Sequence, residues 1–159
     1  MNGFLSYLEL SYSENALYVR FSGVHEDYLL ARYMDALDQF CQSMQGKAWA
    51  RIVDLQQWTV TPAQNQQEVM RLVQQDVKRG LTLEYVLLPS NALGSWQVEH
   101  SLKTLNAAVQ QQIFHWTTDK EVALTALAQQ GFCIEFGAVS RHEAHNWSVS
   151  TEQGVKSDL

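Results

Sequence analysis

The run Trp49-Ala50-Arg51-Ile52-Val53-Asp54-Leu55 decides the fold. It reads as a strand, and the chain on either side of it reads as helix. Before it, Leu30, Tyr33, Met34, Leu37, Phe40, Cys41 and Met44 recur at spacings of three and four between Glu26 and Met44, and Gly46 follows. Such spacing places one apolar stripe on a helix, and a glycine just past the end is the usual terminator. After it, Thr61-Pro62-Ala63-Gln64 carries three helix-start features together: a hydroxyl cap, a proline at the first helical position and a capping-box glutamine. This second helix is expected to run from Pro62 to about Arg79, to bury Val69, Leu72, Val73 and Val77, and to close at Gly80. A strand between two helices is expected to be parallel to its neighbours and covered on both faces.

Upstream, Ser6–Ser11 alternates polar and apolar residues, Glu14–Asn15 supplies a turn, and Ala16–Ser22 is β-prone up to Gly23. These two strands predict an antiparallel hairpin. Downstream, Leu81–Leu88 reads as a strand stopped by Pro89. A helix from about Ser95 to Val109 follows, with Val98, Leu102, Leu105 and Val109 on one stripe. Gln112–Trp116 reads as a short strand. Thr118-Asp119-Lys120-Glu121 forms a second capping box, opening a helix that buries Ala123, Leu124, Leu127 and Ala128 before Gly131. The expected fold class is therefore α/β, a mixed and mostly parallel five-stranded sheet with four helices in the order β-β-α-β-α-β-α-β-α. Residues 1–131 form the expected domain. Residues 132–159 form a C-terminal extension, with Phe132–Val139 as an edge strand and a polar, flexible tail from Ser140.

Composition bounds the function. At 159 residues the chain suits one domain, long enough to bury roughly 70% of its unfolded surface. Its net charge is −6 and its eleven basic residues do not cluster, which argues against a nucleic-acid partner. Lys78 and Arg79 fall together at a helix end, where they complement the helix dipole. Met1–Leu10 lacks the pattern of a secretion signal, and no apolar run approaches the ~20 residues that span a bilayer. The expectation is a cytoplasmic protein with no membrane insertion. Cys41 and Cys133 are then reduced thiols, Cys41 buried on its helix stripe.

No motif for chemistry emerges. His142 and His145 are near each other but supply two ligands where a metal needs three or four. The glycines stand alone, so there is neither a P-loop nor a dinucleotide fingerprint, and no Gly-x-Ser-x-Gly elbow exists. Catalytic residues, cofactor and metal are all expected to be absent. Asp54 lies near a strand C-terminus, where open α/β sheets place ligands, though an aspartate there also bonds loop amides. Trp58 and Trp96 flank the same end of the proposed sheet. They either roof the core with one face wet, or form an aromatic patch for a partner or apolar ligand.

The element order resembles the STAS domain, the fold of the bacterial anti-sigma-factor antagonists (SpoIIAA-like) and of the cytoplasmic part of sulfate transporters. The matching stretches are Ala16–Gly23, Ala50–Leu55 ending in Val-Asp-Leu, Pro62–Arg79, Leu83–Leu88, and Phe114–Leu127 with its Thr-Asp step. Phosphorylatable members carry an Asp-Ser-Ser/Thr-Gly turn after the third strand. Here Val60-Thr61-Pro62-Ala63 stands there, lacking the serine and the glycine, with Thr61 at roughly the switch position. The resemblance implies a non-enzymatic, regulatory protein-interaction module, with Asp54, Trp58, Thr61 and Trp96 as its partner or ligand face. Phe132–Phe136 is an expected edge for a homodimer. The alternative is a carrier or sensor of a small apolar ligand or lipid, in a pocket between sheet and helices that Met34, Met44 and Met70 would line.

Overall fold

Two strands, β1 (Ser6–Tyr12) and β2 (Ala16–Gly23), form the expected hairpin, with Leu8 opposite Phe21 and Leu10 opposite Val19. The computed structural model describes residues 6–24, 26–59, 63–136 and 140–144, and all side chains of its elements except those of residues 63–66, 69, 140, 142 and 144. The elements that follow are α1 (Asp27–Met44), β3 (Trp49–Trp58), α2 (Ala63–Lys78), β4 (Leu81–Leu87), α3 (Ala92–Val109), β5 (Phe114–Thr117), α4 (Lys120–Gln129) and β6 (Ser140–Ala144). The strands lie in the order β5-β4-β3-β2-β1-β6. β2, β3, β4 and β5 are mutually parallel, β1 is antiparallel to β2, and β6 is antiparallel to β1. The expected five strands and four helices are present, and β6 adds a sixth strand.

Each step from β2 to β5 moves one strand in the same direction. Right-handed crossovers therefore lay α1, α2 and α3 on one face of the sheet. α4 leaves the edge strand and returns across the other face, where Ala123 and Leu127 pack with Tyr18, Ala50, Ile52 and Leu87. Successive residues of a strand point to opposite faces. In β3, Arg51, Val53 and Leu55 point toward the three helices, while Ala50 and Ile52 point toward α4.

Several boundaries and burials differ from expectation. α3 begins at Ala92 rather than Ser95, because Asn91 caps it by accepting from the Gly94 amide at 2.6 Å. The cap of α4 is Asp119 rather than Thr118, its carboxylate accepting from the Glu121 amide at 2.9 Å. Leu29 joins Tyr33, Leu37, Phe40, Cys41 and Met44 in the buried stripe of α1. Ala128 is exposed, since the short α4 buries only Ala123 and Leu127 fully. In α2, Leu72, Val73 and Val77 are half-buried, and the Val69 side chain lies outside the described residues.

The C-terminal stretch is corrected as well. The strand expected over Phe132–Val139 is absent from residues 132–136, and residues 137–139 lie outside the described set. Phe132 and Ile134 instead pack against the α4 side of the sheet, and Phe136 meets Tyr18 edge to face at 5.1 Å. The Ser13 hydroxyl bonds the Cys133 carbonyl and the Asn15 amide bonds the Gly131 carbonyl, tying this stretch to the hairpin turn. The strand forms later, at Ser140–Ala144, in the part expected to be a polar tail, and Arg141 there pairs with Glu9. Phe132–Phe136 thus forms no strand edge for a second copy, Phe132 and Ile134 packing internally.

Candidate functional site

A cavity of about 190 Å³ lies between the sheet and the three-helix layer. Its walls are the inward residues of β2, β3 and β4, such as Phe21, Val53 and Val86, and the facing residues of α1, α2 and α3, such as Met34, Val73 and Val98. The lining is apolar almost throughout. It arises because α2 covers the centre of the sheet with side chains that are only half-buried, so the space beneath them is not filled.

One end of the cavity is charged. Arg51 of β3 is 1% exposed and stands directly opposite Glu84 of β4 in the parallel register. Its Nε and Nη2 donate to Glu84 Oε1 at 2.8 and 2.6 Å, and its Nη1 donates to Asp76 Oδ2 of α2 at 2.8 Å and to the Tyr33 hydroxyl of α1 at 2.6 Å. The cluster thereby links the two central strands to two helices. Arg79 donates to the other Asp76 oxygen at 3.1 Å and reaches out to Asp38 of α1 at 2.7 Å. Burial holds the Glu84 carboxyl above the ordinary glutamate range, and the Arg51 charge opposes that shift only in part. Burial likewise raises the Tyr33 phenol. Burial alone would lower the Arg51 guanidinium, but Glu84, Tyr33 and Asp76 hold it well above its usual value.

The residues expected to share one face are spread over three places. Trp58 is half-buried and lines the cavity. Trp96 is 63% exposed and stacks on His100 at 5.5 Å. At 100° per residue it lies on the side of α3 opposite to Val98, Leu102 and Leu105, so it points away from the cavity. Asp54 is fully buried on the α4 side, where it accepts from the Tyr18 hydroxyl at 2.6 Å, Arg20 Nε at 3.1 Å and the Gln56 amide at 3.0 Å. Burial and that bond to Asp54 raise the Tyr18 phenol. Thr61 and Pro62 lie outside the described residues. Of the methionines expected at a pocket, Met34 and Met70 line it and Met44 is plain core.

Seven large apolar side chains are exposed among the described residues: Tyr12, Val24, Tyr28, Leu93, Trp96, Val122 and Phe136. Val24 follows β2, Tyr28 is in the first turn of α1, Leu93 and Trp96 open α3, and Val122 opens α4. The strands preceding them are parallel, so these five share the end of the sheet where strands hand over to helices. Cys41 is buried and its thiol is raised by that burial, whereas Cys133 is exposed. No group of three or more His, Cys, Asp or Glu is placed to hold a metal among the described residues. Among them, too, no helix is long and apolar enough to cross a membrane.

Sequence reading missed the Arg51–Asp76–Glu84 cluster. The signal was present in the quoted run itself, since an arginine on a strand covered by helices on both faces must be given partners there.

No protein-family model matches the chain, and no curated protein matches it. Among solved structures it is similar to an uncharacterised protein of the DUF3478 family from Shewanella loihica PV-4, described as having a SpoIIAA-like fold. The identity is 13%, the match covers 80% of this chain and 98% of the other, and the TM-score is 0.61. The chain has a SpoIIAA-like fold, as its element order predicted.

Proposed function

We propose that this protein is a non-catalytic, regulatory interaction module of the cytoplasm, engaging a protein partner through the end of its sheet where β2, β4 and β5 lead into helices. The observation that carries this is the grouping of Val24, Tyr28, Leu93, Trp96 and Val122, exposed and apolar, at that one end. Exposed apolar groups gathered on one surface mark association, whereas single ones scattered over a surface do not. Trp96 supplies the large, rigid aromatic area that most often dominates an interface. Trp58, the last residue of the neighbouring strand β3, belongs to the same end, and Thr61 is assigned to this face from the sequence alone. The test is quantitative affinity capture with the whole chain against a Leu93→Ala/Trp96→Ala double variant of unchanged stability. A defined partner held by the parent and lost by the variant is the expected result. An identical set of bound proteins would end the proposal.

A second reading has a specific observation of its own, the apolar cavity. In it the protein carries or senses a small apolar ligand between the sheet and α1–α3. Native mass spectrometry of protein purified from cells separates the two, since a carrier retains ligand mass.

A further inference from the structure

The charged end of the cavity sets which apolar molecules it accepts, provided the cavity is a ligand site as in the second reading above. Arg51 has five N–H donors, and four are committed, two to Glu84 Oε1, one to Asp76 and one to Tyr33. The buried charges are one guanidinium and two carboxylates, a balance of 1 − 2 = −1. Adding the outer pair, Arg79 and Asp38, leaves that balance at 2 − 3 = −1. Both bonds from Arg51 to Glu84 land on Oε1, so Oε2 accepts neither of them. A carboxylate or phosphate entering here meets two carboxylates and a nearly saturated arginine in a medium of low dielectric. A donor with positive charge meets free acceptor capacity and a compensating field.

Size follows from the volume. A cavity of about 150 Å³ holds a benzene, so about 190 Å³ holds a group of roughly eight heavy atoms. We infer that the cavity takes an aliphatic primary amine of medium chain length, its ammonium against Glu84 and Asp76 and its tail among Met34, Val73 and Val98.

The experiment uses the whole chain at neutral pH and fixed ionic strength, with the methyl resonances of Met34 and Met70 as reporters of the cavity. Octylamine, 1-octanol and octanoate are titrated against these resonances, being matched in tail and differing in head. Octylamine is expected to bind at least tenfold more tightly than octanoate, with octanol between them. Glu84→Gln is expected to bring octylamine down to the level of octanol while leaving octanol unchanged. Octanoate binding as tightly as octylamine to the parent chain overturns the inference and leaves the ligand reading standing. If none of the three shifts the methyl resonances of Met34 and Met70, the ligand reading itself falls.

Discussion

Replacing Arg51 by methionine removes the one buried cation of the cavity end while keeping most of its aliphatic bulk. Asp76 and Glu84, each 3% exposed, then lose their shared cation, and the guanidinium left within reach is Arg79, which touches Asp76 but not Glu84 and is shared with Asp38. Removing one partner of a buried ion pair costs about 3–5 kcal/mol, because the survivor stays desolvated without compensation. Here two carboxylates lose the same partner and the Tyr33 hydroxyl loses an N–H donor, so the upper end applies, about 5 kcal/mol. For a chain of this length each kcal/mol corresponds to about 2–4 °C, giving a fall in Tm of roughly 10–20 °C. Urea denaturation followed by tryptophan fluorescence measures it, since Trp49 is fully buried with the Arg51 guanidinium 5.5 Å from its ring. A second variant, Arg51→Met with Asp76→Asn and Glu84→Gln, removes the charges together and is expected to recover at least half of the loss. A single variant within about 1 kcal/mol of the parent would refute the reasoning, because the carboxylates would then be solvated rather than buried. A triple variant as unstable as the single one would show that packing of the arginine stem, and not its charge, is what the fold needs.

Two further outcomes follow from buried polar groups. Asn106 is buried and spans the entry to β5, donating to the Phe114 carbonyl at 2.8 Å and accepting from the Ile113 and Phe114 amides at 3.0 and 2.9 Å. Asn106→Ala leaves three backbone groups unpaired and is expected to cost about 2–3 kcal/mol by urea unfolding; a loss below about 1 kcal/mol would mean that water replaces the amide. Glu84 has a folded-state pKa above its unfolded one, so the folded protein binds more protons in the interval between them. The stability this group contributes is present below the ordinary glutamate range and is lost as pH rises through the folded value. The stability difference between the parent and Glu84→Gln should therefore shrink with rising pH just above the ordinary glutamate range. A flat difference across that interval would contradict the shift.

The layers of the fold were legible because periodicity reports which side of an element is buried. The alternation at Ser6–Ser11 and the three-and-four spacing at Leu30–Met44 each needed only their own residues, and both elements formed as read. The caps were less legible, since Asn91 and Asp119 compete with neighbours of similar chemistry and backbone geometry decides between them. Residues 132–136 and 140–144 were read wrongly because Phe132, Ile134 and Phe136 look strand-like. Their destination is the open side of the sheet next to α4, which no local pattern encodes. The paired tryptophans illustrate the same limit. Their proximity to one sheet end could be read from element order, but Trp58 facing the cavity and Trp96 facing outward follow from helix phase and strand register.

The cavity and its charged end have one origin. α2 offers Met70, Val73 and Val77 toward the sheet, yet each remains half-buried, and among the described side chains of α2 it is Asp76 that is driven below 5% exposure, at 3%. Apolar side chains that stop short of the sheet leave a void, and a void costs stability in proportion to its size. What draws Asp76 inward is Arg51, held in place by the register that sets it against Glu84. The helix is therefore anchored near its C-terminal end by charge, where Arg79 adds a second tie to α1. Ahead of that anchor, Met70 and Val73 span the empty volume instead of filling it. Filling β3 and β4 with two apolar residues at positions 51 and 84 would remove the reason for Asp76 to be buried and let α2 settle closer. The sequence instead keeps three ionisable groups at the edge of an apolar space, an arrangement that a core selected for packing alone would not need.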